Sequence, residues 1–394
     1  MQKLTVRDVP VNDKRALVRV DFNVPMENGK VADDARIRAS LPTILYLVQN
    51  GARVILISHM GRPKGKIVES LRLDEVSSCL ADLLELPVKK IDQVVGKEVE
   101  KSVSELGKGE VMLLENVRFE PGEEKNDAEL AQKLADLADI FVNDAFGAVH
   151  RAHASTEGVA NLLPAVAGFL LEKEVNELQS CLHNPDRPFT AIFGGAKVSD
   201  KIGVIRKFLD LADYIIIGGG MANTFLVAKG YDMASSFYES SQVDLAVELL
   251  EYADNCSTVI SLPEDLVIVE DLREEAPSKV VNADAVPVGW QSVDMGPRSV
   301  DIFSRLVEKS RKIVWNGPLG VFEVSPFYRG TEAVARAAIE SDAYLLVGGG
   351  DTAAAFEKFG LVDQVDHVST GGGATLEFLE GRDLPGISVL KDSN

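Results

Sequence analysis

Cysteine is scarce in this chain of 394 residues: there are three, Cys79, Cys181 and Cys256. They lie far apart with no C-x-x-C pair, which gives no disulfide framework and argues against a zinc site. Long apolar runs are missing as well. None approaches the roughly 18 residues a membrane span needs, and no charged-then-apolar leader opens the chain, so a soluble, cytoplasmic protein with no membrane partner is expected. Basic charge is in deficit, 41 Lys and Arg against 61 Asp and Glu, for a net charge of −20 at pH 7 and a pI near 4.8. Phosphate backbones need a basic footprint, so no nucleic-acid partner is expected. A small acidic ligand stays open. Exposed charges are screened within roughly 8 Å at physiological salt, so a local arginine cluster can hold an anion on an acidic protein.

The familiar nucleotide motifs are absent too. No G-x-x-x-x-G-K-[ST] occurs, no G-x-G-x-x-G follows a candidate strand, and there is no H-R-D catalytic loop. A P-loop enzyme, a standard dinucleotide dehydrogenase and a protein kinase are each disfavoured.

What is present is a repeated alternation. Apolar runs rich in Val, Ile and Leu alternate with segments of helical period such as Arg38 to Asn50, Asp74 to Leu86 and Asp127 to Ala138, the βαβ signature. A second series of strands is expected at Phe189–Phe193, Tyr214–Ile217, Thr258–Leu262, Lys312–Trp315 and Tyr344–Val347. Continuous apolarity in the strands implies helices on both sheet faces. The length exceeds what one core usually supports, so two doubly wound parallel-sheet, Rossmann-like domains are expected. Ala165 to His183, closed by Asn184-Pro185-Asp186-Arg187-Pro188, reads as a helix linking them.

The two halves end their strands differently. In the second half glycine runs follow the strands: Gly194-Gly195-Ala196-Lys197, Gly218-Gly219-Gly220, Gly348-Gly349-Gly350-Asp351-Thr352 and Gly371-Gly372-Gly373. Strand, glycine and helix make a phosphate site, because N–H groups at a helix start point at an anion and missing Cβ atoms let it approach. A plain helix cap needs one glycine at most, and an aspartate beside polyphosphate suits Mg²⁺. Lys197 and Lys201, four apart, are expected on one face of a nascent helix. Asn316-Gly317-Pro318 through Glu323 reads equally as a tight loop or a binding loop at a strand end. In the first half the strands end in charge: Arg36, His59, Arg62, Arg118, His150, Arg151 and His153 gather at the sheet edge where α/β proteins bind ligands. Singly each reads as a solvated residue. Together they suit an acidic small molecule, because guanidinium forks fit carboxylate and phosphate.

Val20-Asp21-Phe22-Asn23-Val24-Pro25, Ser58-His59-Met60-Gly61-Arg62-Pro63, Glu115-Asn116-Val117-Arg118-Phe119, His150-Arg151-Ala152-His153-Ala154-Ser155, Gly194 to Lys201, Trp315 to Glu323 and Gly348 to Thr352 are colinear over nearly the whole chain, and together they resemble the phosphoglycerate kinase family. Met60 stands where the family commonly has leucine and Ala35 where threonine is frequent. Neither departure touches a charged position. The resemblance implies reversible, in-line phosphoryl transfer between 1,3-bisphosphoglycerate and ADP, giving 3-phosphoglycerate and ATP with Mg²⁺, after hinge closure, in a monomer. It places the acid on Asp21, Phe22, Asn23, Arg36, His59, Met60, Gly61, Arg62, Arg118 and Arg151. It places the nucleotide on Gly195, Ala196, Lys197, Lys201, Gly219, Asn316, Pro318, Glu323, Gly349, Gly350, Asp351 and Thr352, with the metal on Asp351. Arg36, Lys197 and the N–H groups of Gly372 and Gly373 are the expected catalytic groups. The domain plan it implies is 1–170 for the acid, 171–185 as linking helix, 186–367 for the nucleotide, and 368–394 returning to the first domain. A dehydrogenase would need the missing G-x-G-x-x-G, and a scaffold protein would not respond to MgADP.

Overall fold

The Val-, Ile- and Leu-rich runs at the sheet centres form strands whose side chains are sealed on both faces. Ala16, Leu17 and Val18, for example, have no exposed surface. The computed structural model describes residues 2–393, and it divides into two units, Met1–Asn176 with Asp383–Asn394, and Glu177–Arg382.

The first unit carries strands β1 (Arg15–Arg19), β2 (Arg53–Ile57), β3 (Val88–Lys90), β4 (Val111–Leu113), β5 (Ile140–Asn143) and β6 (Ala165–Ala167). They lie in the order β3-β4-β2-β1-β5-β6, every neighbour parallel. Arg19 pairs with Ile57 on one side and Asn143 on the other, so the central strand delivers its last residue to the carboxyl edge of the sheet. That edge is where an open α/β sheet offers its crevice.

In the second unit β7 (Phe189–Phe193), β8 (Tyr214–Ile217), β9 (Val259–Ser261), β13 (Lys312–Asn316), β14 (Tyr344–Gly348) and β15 (His367–Val368) form a parallel sheet in the order β9-β8-β7-β13-β14-β15. Counted along the chain within this sheet the order is 3-2-1-4-5-6. The winding reverses between β7 and β13, which puts the crevice beside Gly194 and Gly317. Between β9 and β13 the chain adds an antiparallel sheet of β10 (Asp265–Val269), β11 (Ser278–Asn282) and β12 (Gln291–Met295). None of its strands is among those expected. β11 is exposed along most of its length and has no apolar run, so it lacks the signal of a buried strand.

The helices that position the candidate site are α1 (Ala35–Gln49), α2 (Phe169–Leu182), α3 (Ile202–Leu209), α4 (Gly219–Ala228), α5 (Gly350–Lys358) and α6 (Gly373–Leu379). The boundary between the units falls within α2. Its first turn is anchored in the first unit: the Leu170 and Leu171 N–H groups donate to Asp144 Oδ1 at 2.9 and 3.3 Å, and the Phe169 N–H to Thr43 Oγ1 at 2.9 Å. This satisfies orphan donors at the helix start.

The C-terminal return starts later than residue 368. β15 pairs with β14, and Gly203 of α3 faces the Glu380 carboxyl so closely that a Cβ would lie 2.6 Å from it, which keeps 368–382 with the second unit. From Asp383 the chain joins the first unit, where the Gly386 N–H donates to Val149 O and the Lys391 N–H to Ala165 O.

Candidate functional site

At the carboxyl edge of the first sheet a cluster of cations surrounds one carboxylate. Arg36, in the first turn of α1, donates from Nη1 to Asp21 Oδ2 and to Asn23 O, both at 3.1 Å. Asn23 Oδ1 accepts from the Gly61 N–H at 2.9 Å, and Arg118 Nη1 donates to Gly61 O at 2.6 Å. Phe22 is buried, its N–H held by Ser58 Oγ at 2.8 Å. Met60 is held through both backbone groups by the buried Asn116 amide. These bonds tie Asp21, Asn23, Arg36, Gly61 and Arg118 together, with Met60 next to Gly61 and the His59 ring 3.8 Å from Asp21. Arg151, whose Nε donates to His150 Nε2 at 3.0 Å, is close enough to act electrostatically on Arg118. Arg62 follows Gly61 and is exposed.

Burial sets the charges here. It pushes the His59 ring well below its ordinary value, with Asp21 opposing and the guanidinium groups of Arg19, Arg118 and Arg36 adding to the fall. Burial alone would raise the Asp21 carboxyl. The His59 ring, then Arg36 and Arg19, and the Asn23 N–H bond outweigh that and hold it below the usual range. Burial also lowers Arg118, with Arg151 and Arg19 contributing and Glu124 opposing. A neutral imidazole, a carboxylate and several guanidinium groups thus share one edge, which suits a bound anion.

The second unit builds its site from backbone. At the switch point the Gly194 N–H donates to Asn316 O at 3.0 Å, the Gly195 N–H to Pro318 O at 2.8 Å and the Gly219 N–H to Leu319 O at 2.9 Å. A Cβ on Gly194 would lie 2.1 Å from the Pro318 carbonyl, so only glycine lets the two loops close on each other. Lys201 Nζ bridges the loops from beneath, donating to Gly194 O at 2.7 Å and Asn316 O at 2.8 Å. Burial lowers this ammonium to about 8, with Asp351 and Asp200 opposing. Asn316 Nδ2 donates to Gly348 O, and Thr352 Oγ1 accepts from the Gly317 N–H at 2.6 Å while donating to Gly348 O at 2.8 Å.

Beside these loops lies a cavity of about 360 Å³ lined by Gly195, Ala196, Gly219, Pro318, Glu323 and Asp351 among the expected residues. Lys201, Asn316 and Thr352 do not line it; they hydrogen-bond the backbone of the Gly194, Gly317 and Gly348 turns beside it. Lys197 is exposed, and so is Gly350 at the start of α5. Gly349 is the N-cap of α5 and Gly372 that of α6, which Gly373 opens. The expected helical pairing of Lys197 with Lys201 is not observed. α3 begins only at Ile202, and the preceding segment is a turn that buries Lys201 while leaving Lys197 outside.

Sequence reasoning missed the cavity's apolar walls: Phe237, Leu272 and Met295 line it, as does Asp294. Phe237 and Leu272 lie outside regular elements and Met295 ends a strand of the unforeseen sheet, so no periodicity marks them. Burial pushes the Asp294 carboxyl up to about 7 against the N–H bonds from Gly330 and Met295 that oppose it. Arg19 was also missed as more than a strand residue. It is fully buried behind His59, a rare place for arginine.

Among the described residues no group of three or more His, Cys, Asp or Glu is gathered for a metal. Asp351 is an exposed carboxylate on the cavity, at the start of α5, and a lone carboxylate fits an ion shared with ligand phosphates.

The family model for phosphoglycerate kinase matches residues 6–382. A curated phosphoglycerate kinase from Moorella thermoacetica is 57% identical over 392 residues, covering the whole of both chains. The solved phosphoglycerate kinase of Coxiella burnetii superposes with a TM-score of 0.89 at 43% identity, and that of Pyrococcus horikoshii with 0.86 at 34%, each over 98% of both chains. The chain belongs to the phosphoglycerate kinase family, the kinases of glycolysis that transfer a phosphoryl group reversibly between 1,3-bisphosphoglycerate and ADP.

Proposed function

We propose that the first unit holds the acid substrate at the carboxyl edge of its sheet, and that the second unit holds the nucleotide in the cavity at its switch point. The observation that carries this is the contrast between the edges: interlocked Arg36, His59 and Arg118 on one, and glycine-lined backbone with an apolar-walled cavity on the other. Asp21, Phe22, Asn23, Met60 and Gly61 shape the first site, with Arg62 and Arg151 completing its cationic rim. Gly195, Ala196, Gly219, Pro318 and Glu323 contact the nucleotide, Lys201, Asn316 and Thr352 hold the adjoining turns, and Lys197, Gly349 and Gly350 meet its phosphates.

The transfer needs no general base. In the ATP-consuming direction the acceptor is a carboxylate, ionised well above a pKa of about 4. Catalysis is then alignment of two anions and neutralisation of charge spreading over the transferring phosphoryl oxygens. Arg36, Lys197 and the N–H groups of Gly372 and Gly373 supply that neutralisation. Asp351 would hold Mg²⁺, which supplies charge compensation on the nucleotide phosphates. Hinge closure brings the ligands into line and excludes water, protecting the acyl phosphate from hydrolysis. The reading carries with it a monomeric cytoplasmic enzyme with small-molecule substrates and no nucleic-acid partner. No helix among the described residues is long and apolar enough to cross a membrane.

Calorimetric titration of two variants tests the division of labour. Arg118→Ala should lose 3-phosphoglycerate binding and keep MgADP, and Lys197→Ala should do the reverse. Loss of both ligands in either folded variant would contradict it.

A further inference from the structure

Behind His59 runs a buried chain of groups that the reaction chemistry does not call for. Glu123, which has no exposed surface, accepts from the Ser155 N–H at 3.0 Å and from Ser155 Oγ at 2.5 Å. With its proton committed to Glu123, the Ser155 hydroxyl accepts from Arg19 Nε at 2.9 Å. Arg19 also donates from Nη1 to the Val20 carbonyl, and its Nη2 lies 3.1 Å from His59 Nδ1. Glu123, Ser155, Arg19 and His59 are all buried.

A guanidinium has donors only and keeps its proton in proteins. The nitrogen it meets must therefore present a lone pair, so His59 Nδ1 is unprotonated and the proton sits on Nε2. Asp21 Oδ1 lies 3.8 Å from Nδ1, too far for a hydrogen bond that would compete for that position. His59 Nε2 makes no bond within the described residues and is not sealed from solvent. The groups acting on the ring are Asp21, which favours a charged ring, and Arg19, Arg118 and Arg36, which oppose it. Burial, the largest influence, acts with the arginines.

We propose that Arg19 is a positioning residue for acid recognition: the Glu123–Ser155–Arg19 relay holds His59 as a neutral ring with its single proton on Nε2, aimed at an anionic oxygen of the substrate. The proposal rests on the reading of the first sheet edge as the acid site. The ring then works as a fixed N–H donor whose strength does not change across neutral pH, and the arginines alone carry the charge. Ordinarily a histidine titrates in that range.

The direct test is a long-range ¹H–¹⁵N correlation spectrum of the full chain with labelled histidine, the His59 signals identified by their loss in His59→Gln. The expected spectrum shows Nδ1 unprotonated and Nε2 protonated, unchanged from pH 8 to pH 5.5. A proton on Nδ1, or a doubly protonated ring at pH 7, overturns the assignment to Arg19. Kinetics give the second arm. The ratio of KM for 3-phosphoglycerate in Arg19→Met to that in the wild type should change across pH 5.5–7.5 as the freed ring titrates, while KM for MgATP stays within twofold; a flat ratio counts against the relay. If Arg19→Met does not fold, Ser155→Ala removes the middle link and the same ratio is read there. Loss of one hydrogen bond to a charged group corresponds to roughly 10- to 100-fold in KM. His59→Ala should show that loss, and His59→Gln, which keeps an N–H at the Nε2 position, should recover most of it. An unchanged KM in His59→Ala would overturn the substrate-site reading, a result separate from the spectrum.

Discussion

Arg36 donates to the Asp21 carboxylate at 3.1 Å, so the cation assigned to the transferring phosphoryl group is held in place by an anion on the same sheet edge. Its Nη1 also bonds Asn23 O, which fixes the direction of the guanidinium plane. Replacing Arg36 with Ala should lower kcat about 10²- to 10³-fold, the usual cost of losing one charge-stabilising contact. MgADP affinity should stay within twofold. A comparable loss in nucleotide affinity, read by calorimetry, would place Arg36 elsewhere in the mechanism.

Lys201 provides a pH dependence with a definite sign. Its ammonium sits at about 8 in the free protein. A polyphosphate bound above it favours the charged form and raises that value. Above pH 8, nucleotide binding should therefore take up a proton, and MgADP affinity should fall as pH rises. Calorimetry in buffers of different ionisation enthalpy measures the uptake. No uptake at pH 8.5 would mean that the bound phosphates do not sense Lys201.

Asp144 carries the opposite kind of shift. Burial pushes this carboxyl up to about 7, with its hydrogen bonds from Thr43, Leu171 and Leu170 opposing. The folded state therefore binds a proton between about pH 4 and 7 that the unfolded chain does not. The stability it contributes is fully present below about pH 4 and is lost as pH rises through 7. Asp144→Asn keeps the acceptor for the start of α2 and removes the titration. Relative to wild type it should gain about 2–4 kcal/mol between pH 4.5 and pH 8. Urea unfolding at the two pH values checks it, and a constant difference would contradict the assignment.

Gly372 has φ +51, yet a Cβ there would meet nothing within 4 Å. Substitution is thus strained by backbone conformation and not by crowding. A β-branched residue tolerates that conformation poorly, so Gly372→Val should disturb the N–H groups at the start of α6. Turnover should fall far more than nucleotide affinity. Equal losses in both would show that this turn supports binding alone.

The parallel strands and the motif-bearing edges were legible because buried apolar runs and glycine or arginine at their ends are local signals. Phe189–Phe193 and Tyr214–Ile217 form strands at the expected bounds. The antiparallel sheet was not legible, because β11 lies exposed. Nor was the burial of Lys201 and Arg19. Each is a cation whose position depends on carbonyls or on a serine distant in sequence: Lys201 reaches Asn316 and Arg19 reaches Ser155. Spacing alone suggested a helical face for Lys197 and Lys201, and the tight turn at Gly194-Gly195 overrode it. The start of the C-terminal return, at Asp383 and not at 368, has no local signal, and the Gly371–Gly373 run does not mark it. That run is a turn between β15 and α6, within the second unit.

The most direct measurement is ³¹P NMR of the protein with 3-phosphoglycerate and MgATP in the presence of an acyl-phosphate trap, beside Arg36→Ala and Lys197→Ala. The account predicts loss of the ATP γ-phosphate signal only when the acid is present, with trapped acyl product, and turnover strongly reduced in each variant. Unimpaired turnover in both variants would contradict the assignment of the two sheet edges to the two substrates.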